Sequence, residues 1–329
     1  MRAWQVERLG EPADVLTLAE VPDPRPGPGQ VSVRVLAAAA NFPDVLMCRG
    51  LYQVRPDLPF TPGVELCGEV LELGPDVTGV AVGDRVLGAP AGPGGAFAEI
   101  ALMDVATTFP APGSLDDAQA ASLFVGYQTS WFALHRRTRI AAGDVLLVHA
   151  AAGGVGSSAV QLGKAAGATV IGVVGNAGKA EVARALGADV VVDRHEQDFV
   201  QVVKDVTDGR GADIVYDPVG GETYQRSTKC IAFEGRILVI GFAGGEIQSA
   251  PLNHALIKNY SVVGLHWGLY NQRDPALVRH CHDELTALAA TGAVSPIVSE
   301  RIGLADVPAG LQRLADGVTT GRVVMVSPG

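Results

Sequence analysis

The sequence predicts an α/β protein of two domains: a partly open barrel of mixed strands, and a doubly wound parallel sheet covered by helices. Three observations carry that expectation. At 329 residues the chain is longer than the roughly 250–300 residues at which a single core stops growing. The first third is dense in short strand candidates punctuated by Gly and Pro. From residue 145 onward, short continuously apolar runs alternate with helical stretches, the pattern of parallel strands buried on both faces.

Strand candidates in the first part are 3–8, 16–20, 30–40, 63–73, 85–89 and 97–102. Clusters such as "GPDVTGVAVGD" separate them, and "PDPRPGPGQ" at 22–30 reads as a Pro-rich turn. Such spacing suits a barrel. "SLDDAQAAS" then starts a helix, with Ser114 as its N-cap and acids in the first turn. Strands at 145–150, 169–174, 190–192, 213–217, 236–241 and 261–264 alternate with helices at 154–167, 177–187, 196–207, 221–232 and 252–258. The tail returns to a mixed pattern, with a helix at 275–291 and a closing strand in "VVMVSP" at 323–328. It is expected to rejoin the first domain. The domains are then 1–122 with 268–329, and 123–267, with the cleft between them.

Composition narrows the function classes. With 48% hydrophobic and 18% charged residues the chain is an ordered globular protein. A net charge of −10 argues against nucleic acid or an anionic membrane as partner, so an anionic ligand requires a local device. Cys48, Cys67, Cys230 and Cys281 form no CxxC pair, which fits reduced thiols. "MRAWQVERLG" has no apolar signal region and no run approaches the roughly 20 apolar residues of a membrane span. A cytoplasmic protein is expected.

The local device is "VHAAAGGVGSSAVQLGKAAGA". After a strand, Ala151, Gly153 and Gly156 occupy the positions of a G-x-G-x-x-G loop, with Ala at the first. Gly153 lets backbone approach a pyrophosphate, and Gly156 lets the next helix sit tightly on the strand. Unpaired N–H groups at the helix start favour an anion. Ala152, Gly153, Gly154, Val155 and Gly156 are the candidate contacts; an ordinary strand-to-helix turn is the plain alternative. An NAD-preferring unit carries an acid at the end of its second strand. Here that strand ends "VVGNAGKAE", with Gly175, Asn176 and Lys179 and no carboxylate, so NADPH is favoured. Lys179 and Arg194 are candidates for the 2′-phosphate; the alternative for each is a solvated surface cation. Val219, Gly241 and Phe242, at the C-terminal ends of later strands, and Arg322 complete the cofactor set.

Residues 143–164 resemble the signature of the quinone oxidoreductase/zeta-crystallin family of the medium-chain dehydrogenase/reductase superfamily, with Gly143, Asp144, Leu146, Ala151 to Gly154, Gly156, Gln161 and Lys164 in register. "NFPDVLMCRGLYQ" (41–53), "TPGVELCGEV" (61–70), "GDRV" (83–86), "GGAFAEI" (94–100), "DPVGG" (217–221) and "GRILVIGFAGG" (235–245) extend the resemblance over nearly the whole chain. It implies a GroES-like β-barrel catalytic domain with a Rossmann domain, and a homodimer, through the edge of the Rossmann sheet. Zinc-dependent relatives place a Cys and a His where this chain has Asn41 and Val64; Glu65 keeps its place without a histidine neighbour. Since catalytic zinc needs three protein ligands, a metal-free site is expected.

Without a Lewis acid, acceptors already primed for hydride become the reasonable class: quinones and small α,β-unsaturated carbonyls. The resemblance points to four catalytic candidates. Asn41 contacts the nicotinamide ribose or a substrate oxygen, or merely serves a turn. Asp44 does likewise, or caps a helix beginning at Val45. Tyr52 donates its O–H or stacks on a ring, or is a half-buried loop residue. Thr129 sits near the nicotinamide, or bonds back to its own helix. His149 reads as a core histidine, and "HCH" at 280–282 makes no ligand set. Two alternatives stand beside the leading reading. One is an enoyl-thioester reductase with Arg49 and Arg55 at the cleft mouth; the other is a non-catalytic, crystallin-like NADPH-binding protein.

Overall fold

The computed structural model describes residues 1–92 and 94–328. The chain first lays down β1 (Arg2–Val6), β2 (Leu16–Glu20), β3 (Gln30–Ala39), β4 (Leu66–Leu73), β5 (Arg85–Gly88), β6 (Ile100–Asp104) and β7 (Thr108–Pro110). Next come β8 (Val145–His149), β9 (Thr169–Val174), β10 (Val190–Asp193), β11 (Ala212–Asp217), β12 (Ile231–Val239) and β13 (Ser261–Gly264). It ends with β14 (Val298–Ile302) and β15 (Arg322–Val326). Two compact units result: Met1–Val125 with Tyr270–Gly329, and Gly126–Leu269.

In the first unit β1 and β2 form a separate antiparallel pair, and the larger sheet runs β14-β15-β3-β4-β5-β7 with β6 on β3. All its pairs are antiparallel except β14 with β15. β3 reads QVSVRVLAAA because it is flanked by β15, β4 and β6 and nearly all of it is buried. Val31, Val33, Val35, Leu66, Val70, Phe97 and Met103 build the core, and Val323 and Met325 of the closing strand join it. The C-terminal tail thus belongs to the first unit through backbone pairing of Val324 with Ala39.

The second unit is one six-stranded sheet, order β10-β9-β8-β11-β12-β13, every pair parallel. Strand order reverses at β8, which lies between β9 and β11, so the crevice beyond its C-terminal end is the ligand position for this architecture. β8, VLLVH, is buried at every residue, which explains its unbroken apolar run. His149 at its end is a core residue: its Nε2 meets the Ser227 hydroxyl at 2.8 Å, and burial drops its pKa to about 3.

Local departures have local causes. The helix expected to start at Ser114 is capped two residues later by Asp116, whose carboxylate accepts the Gln119 N–H at 2.9 Å while Gln119 reaches back. The helix near Asp44 begins at Phe42, not Val45, because Pro43 suits a first turn. The helix expected over 221–232 stops at Ser227, and Ile231 already pairs with Ala212. β14 and the helix Val307–Ala315 are additions to the expected elements. Among the described residues, no helix is long and apolar enough to cross a membrane.

Candidate functional site

In the second unit, Ala150 turns the chain with φ +51°, and the Gly153 N–H closes the turn on the Ala150 carbonyl at 2.8 Å. The helix Gly154–Ala165 follows, with Gly153 as N-cap and no side-chain cap among the described residues. The N–H groups of Gly154, Val155 and Gly156 are therefore the orphan donors of a helix start, presented by backbone alone. Gly156 has a steric reason: a Cβ there would stand 2.1 Å from the Ala150 carbonyl oxygen. Ala151 and Ala152 are buried beneath the turn, and Ala151 N–H binds the Val173 carbonyl at 3.0 Å. The Val155 carbonyl accepts the Ser130 hydroxyl at 3.1 Å and the Ser158 hydroxyl at 2.9 Å. Ser130 also meets the Tyr216 hydroxyl at 2.8 Å, pinning helix to sheet.

At the ends of β9 and β10, Asn176 caps the helix Ala177–Ala185 by accepting the Lys179 N–H at 2.9 Å. The Arg194 guanidinium lies over Gly175, where a Cβ would be 3.2 Å from Nη2. Arg194 has no ion-pair partner among the described residues. Burial lowers the Lys179 pKa, and the charge of Arg194 lowers it further. Two cations thus share one strand end. The nearby Asp193 carboxylate is turned into its own loop, accepting the His195 N–H at 3.0 Å.

The ends of β11 and β12 gather Val219, Gly241 and Phe242. Phe242 packs on Gly220; Ala243 and Gly244 donate to the Pro218 and Val219 carbonyls at 3.0 and 2.9 Å. Asp217 holds this loop: one carboxylate oxygen accepts Val219 and Gly220 N–H, each at 2.9 Å. Its other oxygen is buried without a partner among the described residues, and burial raises its pKa. Asp217 was missed, although an acid ending an apolar strand before "PVGG" is a readable signal. Thr129 lies half-buried on the helix Phe124–Trp131.

In the first unit the candidates form a buried polar cluster. Asn41 donates both amide hydrogens, to the Ala39 carbonyl at 3.0 Å and to Glu65 at 2.8 Å, while its oxygen accepts from Arg322 at 3.1 Å. The carboxylate and the guanidinium fix which way the amide faces. With both amide hydrogens engaged, the remaining lone pair on Oδ1 is what Asn41 offers a ligand hydroxyl, a ribose hydroxyl included. Asp44 sits in the capping box of the helix Phe42–Cys48. It is fully buried, and its two oxygens accept Asn41 N–H at 2.8 Å and Gly63 N–H at 2.9 Å, so it shapes the loop. Burial pushes its pKa up to about 7 against those two donors.

Arg322, a candidate for the cofactor, is ion-paired with Glu65; the two side chains are 4% and 0% exposed. Glu65 completes its set with the Val125 N–H at 2.7 Å. Burial raises the Glu65 pKa and Arg322 holds it down. Tyr52 is half-buried against Val6, Val15, Met47, Cys48 and Phe60. Burial and the Asp44 charge raise its pKa, so its phenol stays a donor. Arg49, expected at a thioester mouth, is bound by Glu11 through contacts of 2.8 and 2.7 Å.

These residues do not suit zinc. The two positions that carry ligands in zinc-dependent relatives hold a carboxamide with both donors engaged and a valine, and Glu65 is committed to Arg322. Among the described residues no group of three or more His, Cys, Asp or Glu is placed to hold a metal. The donor set of the second unit does suit a phosphorylated dinucleotide: uncapped backbone donors, two adjacent cations and an open glycine-lined strand end.

Comparison with known proteins agrees with this architecture. Residues 27–113 match the family described as alcohol dehydrogenase GroES-like domain, and residues 154–282 match zinc-binding dehydrogenase. A quinone oxidoreductase-like protein 2 homolog of Nematostella vectensis is 38% identical over 301 residues, covering 91% of this chain and 82% of that protein. The quinone oxidoreductase of Pseudomonas syringae pv. tomato is 33% identical with a TM-score of 0.91, covering 99% of each chain. That of Escherichia coli, solved with NADPH, is 30% identical with a TM-score of 0.92, covering 99% of this chain and 100% of that one. The chain belongs to the quinone oxidoreductase/zeta-crystallin family of the medium-chain dehydrogenase/reductase superfamily.

Proposed function

We propose that this oxidoreductase uses NADPH, without zinc, to reduce quinones or small α,β-unsaturated carbonyls. The observation that carries the reading is the pairing of Lys179 and Arg194 at a strand end that presents no ribose-binding acid, beside the uncapped helix start at Gly154. Gly154 to Gly156 hold the diphosphate by backbone N–H, and Lys179 with Arg194 hold the 2′-phosphate. Val219, Gly241 and Phe242 line the reduced ring's end of the sheet, with Thr129. When bound, the reduced nicotinamide supplies a hydride. Tyr52 donates a hydrogen bond to the acceptor oxygen on which negative charge develops, and Asn41 accepts from a ligand hydroxyl.

The test is consumption of NADPH, followed by its absorbance, with a panel of quinones and enals. Turnover of a quinone or enal is expected; no turnover with any acceptor overturns the reading. A large preference for crotonyl-CoA over free enals would favour the thioester alternative, which the Arg49–Glu11 pair disfavours.

A homodimer is part of this proposal. β13 is a sheet edge, and the helix Leu252–Lys258 before it exposes Leu252, Leu256 and Ile257 at 80%, 77% and 71%. A second copy burying that edge accounts for apolar side chains a monomer rarely leaves in water.

A further inference from the structure

We propose that a groove in the first unit, under Arg279, binds a planar aromatic carboxylate. The groove has a volume of about 550 Å³ and is lined by Val80, Val86, Val105 and Phe109, together with the exposed Thr78 and Arg279. That volume falls within the usual range for small-molecule sites, as does the pattern of apolar walls with one charged group. Asn41, Asp44, Tyr52 and Glu65 do not line it.

Its floor is prepared. The Phe109 ring is buried and stacks on His282, with centroids 4.8 Å apart and planes at 28°. His282 is held by a 3.0 Å hydrogen bond from Nε2 to the Pro110 carbonyl. Burial, with the charge of Arg279, favours the neutral imidazole, so the shelf adds no second cation. The Arg279 guanidinium lies 5.1 Å over the same ring. Phe109 thus touches both a fixed imidazole and a cation.

Arg279 makes no ion pair or hydrogen bond among the described residues. Arg85, which also lines the groove, already has its charge paired: Nε donates to Asp117, and Nη1 and Nη2 donate to the Pro112 and Leu115 carbonyls. The groove's acid, Asp84, caps its own turn by accepting the Ala81 N–H at 2.8 Å. One oriented, unpaired guanidinium above an apolar slot is therefore what a ligand meets. Its N–H edge matches a carboxylate bidentately, while the valines cover the flat apolar body.

Calorimetric titration of the full chain with 2-naphthoate, and with neutral 2-naphthalenemethanol, tests this. One saturable site is expected, with naphthoate favoured about tenfold or more through the charged hydrogen bonds. Arg279→Gln removes that preference, Thr78→Trp blocks both probes by filling the rim, and saturating NADPH leaves the affinity unchanged. Absence of saturable binding, affinity unaltered in both variants, or displacement by NADPH overturns the proposal; displacement would put the anion in a nucleotide phosphate site instead. Because the readout is binding, it stands apart from whether quinones are reduced.

Discussion

Deleting the counter-charge of Glu65 tests the reading of the first unit most directly. Arg322→Met keeps side-chain bulk and removes the guanidinium from a pair whose members are 4% and 0% exposed. Glu65 then retains the Asn41 amide at 2.8 Å and the Val125 N–H at 2.7 Å. Hydrogen bonds to a charged group contribute about 1.5–3 kcal/mol each, whereas an unpaired buried ion costs several kcal/mol. The expected loss is about 3–5 kcal/mol. Adding Glu65→Gln to the same chain removes the stranded charge, so the double variant should regain most of that loss. The two units need not unfold together, so amide hydrogen exchange in β4, beside Glu65, is the suitable assay. The pH dependence gives a second readout. An acid whose folded pKa is raised contributes stability below its unfolded pKa, and that stability is lost as pH climbs through the folded value. Burial raises Glu65 and Arg322 opposes the rise, so Arg322→Met should weaken more steeply than wild type as pH climbs above the ordinary carboxylate range. A single variant within about 1 kcal/mol of wild type and without that added slope, or a double variant weaker than the single, would refute the reasoning.

Lys179→Ala and Arg194→Ala should each raise the KM for NADPH about tenfold or more and leave NADH nearly unchanged; steady-state kinetics with both nucleotides decide it. Gly156→Ala drives a Cβ to within 2.1 Å of the Ala150 carbonyl, so nucleotide affinity should collapse, with about 1–3 kcal/mol of stability lost in denaturant titrations. His149, whose folded pKa is about 3 against an ordinary value of 6.5, contributes stability above pH 6.5 that is lost as pH falls towards 3. His149→Gln should therefore flatten the acid limb of the second unit's stability curve, measured by hydrogen exchange at several pH values. Leu256→Asp at the exposed edge should shift sedimentation from dimer to monomer, and an unchanged coefficient would remove that interface.

Legibility in the sequence follows from how local the cause is. Strands 16–20, 169–174 and 261–264 have the observed ends, and for 169–174 the unbroken apolar run matches burial of all but its first residue. The glycine loop is equally local: strand, turn and helix occupy one continuous stretch, and Gly156 is required by a carbonyl only six residues back. The Asp116 cap was readable as well, since D-D-A-Q contains the box that Ser114 lacks. β14, VSERI, was not, because its two charges hide a strand that is only half covered. Asn41, Asp44 and Arg322 were found as residues, but the hydrogen bonds that bind them into one buried cluster were not. Glu65 and Arg322 are 257 positions apart, and no local pattern reports that they meet.

The same distinction explains the nucleotide end of the second unit. An absent acid at the end of β9 is a local fact, but the approach of Arg194 to Lys179 depends on β10 lying beside β9. Burial is the larger cause of the lowered Lys179 pKa, and the like charge of Arg194 adds to it, an unfavourable pairing in the ligand-free chain. A dianionic phosphate converts that repulsion into two charge-assisted hydrogen bonds, whereas a free ribose hydroxyl leaves it in place. Under the proposed assignment of these two cations, selectivity for NADPH over NADH would arise from both ends of the equilibrium: the hydrogen bonds that form when the phosphate binds, and the repulsion that its charge relieves. Replacing either cation removes one of those bonds and also the repulsion felt by the other cation. The two single substitutions should therefore cost less together than their separate effects summed, and a double-mutant cycle on the NADPH/NADH ratio would show that shortfall.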